Sequence, residues 1–143
     1  MPPKDGPTLG ASVEREVFAQ HRELDSLFEE VLDSFRPEGP PETTLGALKE
    51  LREALETHFD QEDRLYYPAI WALRPDLEPQ LRTLVDAHGE FLAQLDRLGT
   101  LLDRGERAEA SSVFDYLSAV FKRHENAEEA ALATLDREID AAR

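Results

Sequence analysis

The stretch "ETHFDQEDRLYYP", residues 56–68, reads as one face of a helix with two polar residues where apolar ones are expected. His58 and Glu62 are four positions apart, a spacing that brings two side chains to the same helix face, about 5–6 Å apart at Cβ. They continue an apolar seam that also carries Leu55 and Leu65. A buried carboxylate without a partner is protonated or destabilises the fold by several kcal/mol. The stretch therefore predicts a helix whose inner face meets a partner for its imidazole and its carboxylate.

Apolar residues spaced alternately three and four positions apart recur in four segments, which predicts four amphipathic helices. The first seam is Val17, His21, Leu24, Phe28, Val31 and Phe35; the second is Leu45, Leu48, Leu51, Leu55, His58, Glu62, Leu65 and Ala69; the third is Leu81, Leu84, His88, Leu92, Leu95, Leu98 and Leu102; the fourth is Val113, Leu117, Val120, His124, Glu128, Ala131, Leu135 and Ile139.

Helix-breaking segments separate the four seams. These are "RPEGPPETT" (36–44), "RPDLEP" (74–79) and "DRGER" (103–107). No segment shows the alternating pattern of a strand, and short connections between long helices favour an all-α, up-down-up-down four-helix bundle over residues 13–143. Residues 1–12 are rich in proline and glycine and are predicted to form a flexible N-terminal arm.

Composition narrows the classes of function. The 143 residues suit one domain, and the absence of cysteine excludes disulfides, thiolate nucleophiles and cysteine-ligated zinc. A net charge of −15 argues against nucleic acid or an anionic membrane as a partner, since phosphate groups need a basic face. No apolar run is long enough to span a membrane. The N-terminus lacks the features of a signal peptide, so a cytoplasmic location is predicted.

The four histidines of the chain repeat in a regular pattern. Each lies on a different seam, and His58 and His124 are both followed at i+4 by glutamate. His21 precedes His58 by 37 residues and His88 precedes His124 by 36, so the helix pair itself is repeated. A hydrogen bond to a backbone carbonyl or a carboxylate explains a single core histidine, but not four of them in matched pairs. In an antiparallel bundle, four imidazoles and two carboxylates could then converge on one axis.

This set of groups predicts a metal centre. Six nitrogen and oxygen ligands are too many for one tetrahedral zinc, and carboxylates bridge well between two cations. Imidazole with carboxylate suits non-haem iron, with manganese or zinc as substitutes. Bundle cores are a known setting for paired metals of this kind. The sequence therefore predicts a di-iron core.

The motifs resemble those of the hemerythrin-like, or HHE cation-binding, domains over about residues 13–140. The resemblance implies that Glu62 and Glu128 bridge two iron ions, together with an oxo or hydroxo group. One iron would also bind His21 and His58, and the other His88 and His124. The implied metal ligands are His21, His58, Glu62, His88, His124 and Glu128.

The chain departs from the oxygen-carrying members at two positions. In "HGEFL" (88–92), Leu92 occupies the place of their fifth histidine, and in "HENAEE" (124–129), Glu129 stands where they have aspartate. The chain is more similar to the four-histidine, two-glutamate proteins, such as iron-sulfur-centre repair proteins and iron-sensing HHE domains. Without a fifth histidine both irons would keep an open position, which favours NO, peroxide or reductive O2 chemistry over reversible O2 carriage.

Two further side chains are candidates for supporting the ligands or for binding metal directly. Asp25 is four residues after His21, and Tyr66 is four residues after Glu62. Tyr67 and Trp71 are interpreted as packing residues near the end of the bundle. A dry pocket that controls access is predicted to be walled by Leu65, Phe91, Leu92 and Phe121.

The leading hypothesis is a non-haem di-iron protein that binds O2, NO or peroxide, or that senses or handles iron. An alternative is a small di-iron redox enzyme, acting as a peroxidase, an oxidase or an NO-reducing centre. A third is a regulatory bundle that metal only stabilises. The predicted partner is a small diatomic molecule or peroxide, and the sequence does not indicate a protein partner.

Overall fold

The computed structural model describes the backbone of residues 9–37 and 39–141 and the side chains of residues 14–37 and 39–133. Helix α1 (Leu9–Ser34) is followed by α2 (Pro41–Gln61), which continues through a π-helical turn (Glu62–Tyr66) into α3 (Tyr67–Leu73). A 3₁₀ turn (Pro75–Leu77) leads to α4 (Glu78–Asp103), and α5 (Arg107–Ala141) completes the chain.

The long helices form a closed four-helix bundle. Helix α1 packs against α2 and α5, and α4 packs against the same two helices. The described residues contain no strand. The predicted all-α, up-down-up-down bundle is therefore confirmed. Among the described helices, none combines the length and the apolar character needed to cross a membrane.

The first and last segments of the bundle reach the limits of the described chain. Helix α1 begins at Leu9, four residues before the predicted start of the bundle, and residues 1–8 of the predicted arm lie outside the described residues. The side chains of Leu135 and Ile139, predicted for the last seam, also lie outside them.

The predicted breakers end the helices through identifiable backbone features. Pro41 opens α2 at its first position, where a missing N–H costs no helical hydrogen bond. Gly105 has a φ of 76° and follows α4, in the left-handed conformation that glycine adopts most readily. Its N–H donates to the carbonyl of Leu102, and the N–H of Glu106 donates to that of Leu101. These bonds satisfy carbonyls that the end of the helix would otherwise leave open.

The π-helical turn changes the register of the second seam. The N–H of Tyr67 donates to the carbonyl of Glu62, five residues earlier, so this turn holds one extra residue. Pro68 follows directly; it has no N–H, and its ring clashes with the carbonyl four residues before it in a regular α-helix. The predictions that Leu65 and Ala69 face inward are wrong, because the extra residue turns both outward and Leu65 is 62% exposed. Buried in their place are Tyr66, Tyr67 and Ile70.

The core consists of two apolar clusters separated by a polar layer. The larger cluster includes Leu24, Leu55, Phe91 and Phe121, and the smaller includes Val17, Tyr66, Leu84 and Leu132. On each of the four helical segments, one histidine lies between a residue of the smaller cluster and a residue of the larger. The bundle therefore places all four imidazoles at the same level of its interior.

Candidate metal centre

The polar layer holds the six candidate ligands. Every one of them is at least nine-tenths buried. Helix α1 supplies His21, α2 and the π-turn supply His58 and Glu62, α4 supplies His88, and α5 supplies His124 and Glu128.

The six residues form two groups with geometry suited to metal binding. His21 and His58 lie with Glu62 and Glu128 in one group, and His88 and His124 lie with the same two glutamates in the other. Within each group, one ligand atom per residue lies within 4.8 Å of all the others. The imidazole centroids are 5.3 Å apart in the first pair and 5.1 Å apart in the second. Each group could hold a metal ion, and the two glutamates belong to both groups.

Six inward-facing atoms lack a hydrogen bond of good geometry, although buried polar atoms are nearly always paired, and two of them, Nε2 of His124 and Oε1 of Glu128, lie 2.8 Å apart. These atoms, all buried among the described residues, are Nε2 of His21, His58 and His124, Oε1 of Glu62, and both carboxylate oxygens of Glu128. All six can donate electron pairs to a metal ion. The donor set therefore fits one or more cations at the centre of the layer.

Three of the imidazoles are oriented by side chains on their outer nitrogen. Nδ1 of His58 donates to Oε1 of Gln20 at 2.6 Å. Nδ1 of His21 donates to Glu129, and Nδ1 of His88 donates to Asp63, each at 3.0 Å. A proton on Nδ1 leaves the lone pair of Nε2 free toward the centre, which is how ligand histidines are usually fixed.

Two of these partners follow the internal repeat. Asp63 comes directly after Glu62, and Glu129 directly after Glu128, so each half of the chain reads HxxxE followed by a second acid. In each half the second acid reaches the histidine that stands alone on a neighbouring helix. The sequence reasoning missed Asp63 and Gln20; the repeated second acid was a signal for Asp63. Ala87 stands where the repeat would place a second Gln20, so the two halves differ there.

Burial sets the protonation states of the metal-free centre. It lowers the pKa of His58 and of His88 to about 3, and that of His124 to about 4. It raises the pKa of Glu128 to about 9. At neutral pH the imidazoles are therefore in the neutral form that binds metals, while Glu128 holds a proton that a cation would displace.

Asp25 and Tyr66 lie at the edge of the centre. Asp25 belongs to neither group of candidate ligands and lies 3.5 Å from the ammonium of Lys122. The hydroxyl of Tyr66 accepts a long hydrogen bond, 3.5 Å, from the amide of Gln20. These contacts suit supporting roles, and direct metal binding by either residue stays a prediction.

Two residues outside the predicted set also approach the centre. The hydroxyl of Tyr67 donates to Nε2 of His88 at 3.3 Å, so this residue does more than pack. Glu125 is buried and lies 3.7 Å from Nδ1 of His21. Burial and the nearby Asp25 raise the pKa of Glu125 to about 9. The extra residue of the π-turn is what brings Tyr67 inward.

Replacing Gln20 by leucine is expected to weaken metal binding by about 10- to 100-fold, the usual cost of losing a group that orients a ligand histidine. Gln61→Leu is the matched control, because Gln61 accepts a hydrogen bond from Gln20 at 2.9 Å without being the partner of His58 Nδ1. Competition with a chelator measures both affinities. Equal affinities for the two variants would show that Gln20 does not orient His58.

A family model described as hemerythrin HHE cation binding domain matches residues 13–135. No significant match to the chain was found among curated proteins or among solved structures.

Proposed function

Since the chain belongs to the hemerythrin HHE cation-binding domain family, we propose that its polar layer holds two iron ions that bind O2, NO or peroxide. The observation that carries this proposal is the sharing of Glu62 and Glu128 between the two groups of candidate ligands. A carboxylate common to two sites can neutralise two cations at once. A single-metal site would give no reason for two histidines on each side of the carboxylates.

Iron is the cation that the ligand set fits best. The candidate ligands are imidazoles and carboxylates, a combination that suits non-haem iron, and the described residues offer no thiolate. His21 and His58 would complete one site and His88 and His124 the other. Each site then keeps room for a further ligand, because its histidines and shared carboxylates supply about four donor atoms of the six that octahedral iron takes.

A narrow crevice beside the two carboxylates, too small in the metal-free protein to hold a water molecule, marks the side from which a small molecule would reach the metals. Glu62 and Glu128 form part of its wall, and the remaining wall is almost entirely apolar or aromatic. An apolar lining favours a small neutral molecule over a hydrated ion. The positions that the protein ligands leave open on each metal, beside this apolar wall, are the reason to prefer a ligand-binding role over a bundle that metal only stabilises. The other lining residues are Val17, Tyr66, Tyr67, Ile70, Leu84, Ala131 and Leu132.

Metal analysis with optical spectroscopy of protein from iron-replete cells tests the proposal. We expect two iron ions per chain and an absorption spectrum that changes when azide or NO is added. Two irons with a spectrum insensitive to both ligands would support the stabilising role instead. Failure to take up iron from ferrous salt would overturn the di-iron proposal, and turnover of peroxide or NO with a reductant would identify the redox enzyme.

A further inference from the structure

The crevice beside Glu62 and Glu128 lies close to a surface pocket on the α3–α4 side of the bundle. The pocket has a volume of about 420 Å³ and is open to solvent. Its wall includes Trp71 and Val85, two large apolar side chains that are 53% and 38% exposed. The full lining is Asp63, Tyr67, Pro68, Trp71, Glu78, Leu81, Arg82 and Val85.

Tyr67 belongs to both spaces. It lines the surface pocket, it lines the inner crevice, and only 6% of its surface is exposed. Its ring stacks on the imidazole of His88, with centroids 5.6 Å apart. The ring therefore forms the partition between the surface pocket and the crevice beside the carboxylates.

The hydroxyl of Tyr67 is hydrogen-bonded to a nitrogen that would also be the ligand atom for a metal. It donates to Nε2 of His88, the nitrogen that faces the candidate centre. The single lone pair of Nε2 cannot accept this hydrogen bond and bind a cation together. Metal loading would thus release the hydroxyl and leave only ring packing to keep the partition closed.

A second surface pocket, over His58, offers no comparable path. Its lining shares no residue with the inner crevice. Gln20 lines this pocket and is hydrogen-bonded to both His58 and Gln61. A molecule that entered there would have to break these bonds and pass the imidazole. The lining of this pocket is Gln20, Glu23, Leu24, Ala54, Thr57, His58 and Gln61.

We propose that small neutral ligands enter through the pocket beside Trp71, which we call the entry chamber. The Tyr67 ring would then be the gate between this chamber and the metal centre. The apolar part of the chamber wall, formed by Trp71, Leu81 and Val85, would favour a weakly hydrated molecule such as NO or O2 over an ion. The proposal rests on the proposed function, since it assigns the route to that same centre.

Stopped-flow mixing of the iron-loaded protein with NO measures the rate of NO association and tests whether Tyr67 is the gate. Tyr67→Ala is expected to speed NO association several-fold, because the partition is removed. Tyr67→Phe should stay close to the wild-type rate, because the ring remains and metal has already displaced the hydroxyl from His88. An unchanged rate of NO association in Tyr67→Ala would overturn the gating role of Tyr67. Equal acceleration by Tyr67→Phe would also overturn it, because the barrier would then be the hydroxyl and not the ring.

Blocking variants test the route without altering Tyr67. Val85→Phe, which narrows the entry chamber at an exposed position, is expected to slow NO association several-fold. Thr57→Phe, the matched change at an exposed position beside His58, should have no effect. Slowing by Thr57→Phe alone would place the route past His58 and overturn the proposal.

Xenon binding to crystals of the metal-free protein provides a readout that needs no iron. We expect xenon beside Trp71 in the wild type, and xenon extending into the crevice in Tyr67→Ala. Xenon in the crevice of Tyr67→Ala but not in the chamber would contradict the route. This measurement separates the two proposals, because a protein that fails to load iron can still show whether Tyr67 closes the path.

Discussion

Replacing Glu128 by glutamine is expected to remove both metal ions from the protein, not one. Glu128 belongs to both groups of candidate ligands, and a neutral amide is a much weaker ligand than a carboxylate. His21→Ala and His88→Ala each remove a ligand from one group only, and each is expected to lower the metal content by about one ion per chain. Metal analysis after dialysis against a weak chelator measures all three variants.

The fold of the metal-free protein should tolerate this change. Glutamine has the shape of a protonated glutamate, and the raised pKa of Glu128, about 9, means that the metal-free protein already holds this group neutral at pH 7. We therefore expect the metal-free Glu128→Gln protein to be at least as stable as the wild type at pH 7, because glutamine stays neutral in both states whereas the wild-type carboxyl ionises on unfolding. A loss of metal in this variant then reports on the ligand and not on folding.

Glu125→Gln is the matched control for this experiment. Glu125 is on the same helix, is buried to a similar extent and also has a raised pKa, but it lies in neither group of candidate ligands. It should keep both metals. If Glu128→Gln retained one metal at full occupancy, the two sites would not share this carboxylate and the paired-metal arrangement would be wrong.

The bundle and the grouping of its polar residues could be predicted from the sequence, because both depend on simple periodicities. A helix returns to the same face after three or four residues, so the seams identify which residues face inward. Histidines that replace apolar residues on all four seams must then meet in the interior. The match of residues 13–135 to the HHE family model agrees with the resemblance found in the motifs.

The residues that face inward after Glu62 could not be predicted from the periodicity, because one extra residue in the π-turn shifts every position after it. Leu65 fits the regular seam but is exposed, and Tyr67, which does not fit it, reaches His88. The only local signal is Pro68, which prevents a regular hydrogen bond to the turn before it. In "ETHFDQEDRLYYP" the periodicity is thus reliable up to Glu62 and misleading after it.

The partners of the imidazoles depend on how neighbouring helices are rotated about their axes. The contact between Gln20 and His58 joins α1 to α2, and that between Asp63 and His88 joins the π-turn to α4. Seams indicate which face of a helix points inward, but not which polar residue at the edge of that face reaches across. Side-chain distances between helices therefore required the structure.

The metal-free protein is expected to lose stability as the pH rises from about 6.5 to about 9. The pKa of Glu125 and that of Glu128 are raised from 4.5 to about 9 in the folded state. Between pH 4.5 and 9 these two carboxyls bind more protons in the folded state than in the unfolded state, so they make unfolding easier as the pH rises, and above about 6.5 the histidines no longer oppose this effect. Each such carboxyl contributes at most about 1.4 kcal/mol per pH unit. Urea unfolding of the metal-free protein at several pH values measures the slope.

The histidines give the opposite slope at low pH. The pKa of His58 and that of His88 are lowered from 6.5 to about 3, so the unfolded state binds more protons below 6.5 and the folded state is destabilised as the pH falls toward 3.

Iron should suppress the alkaline loss of stability that comes from Glu128, because a bound cation keeps this carboxylate ionised in the folded state. Glu128→Gln should reduce the alkaline slope of the metal-free protein in the same way, since it removes one of the two titrating groups. Metal-free stability that stays flat or rises between about pH 6.5 and 9 would contradict the protonated state of these buried carboxyls, and with it the need for a cation at the centre.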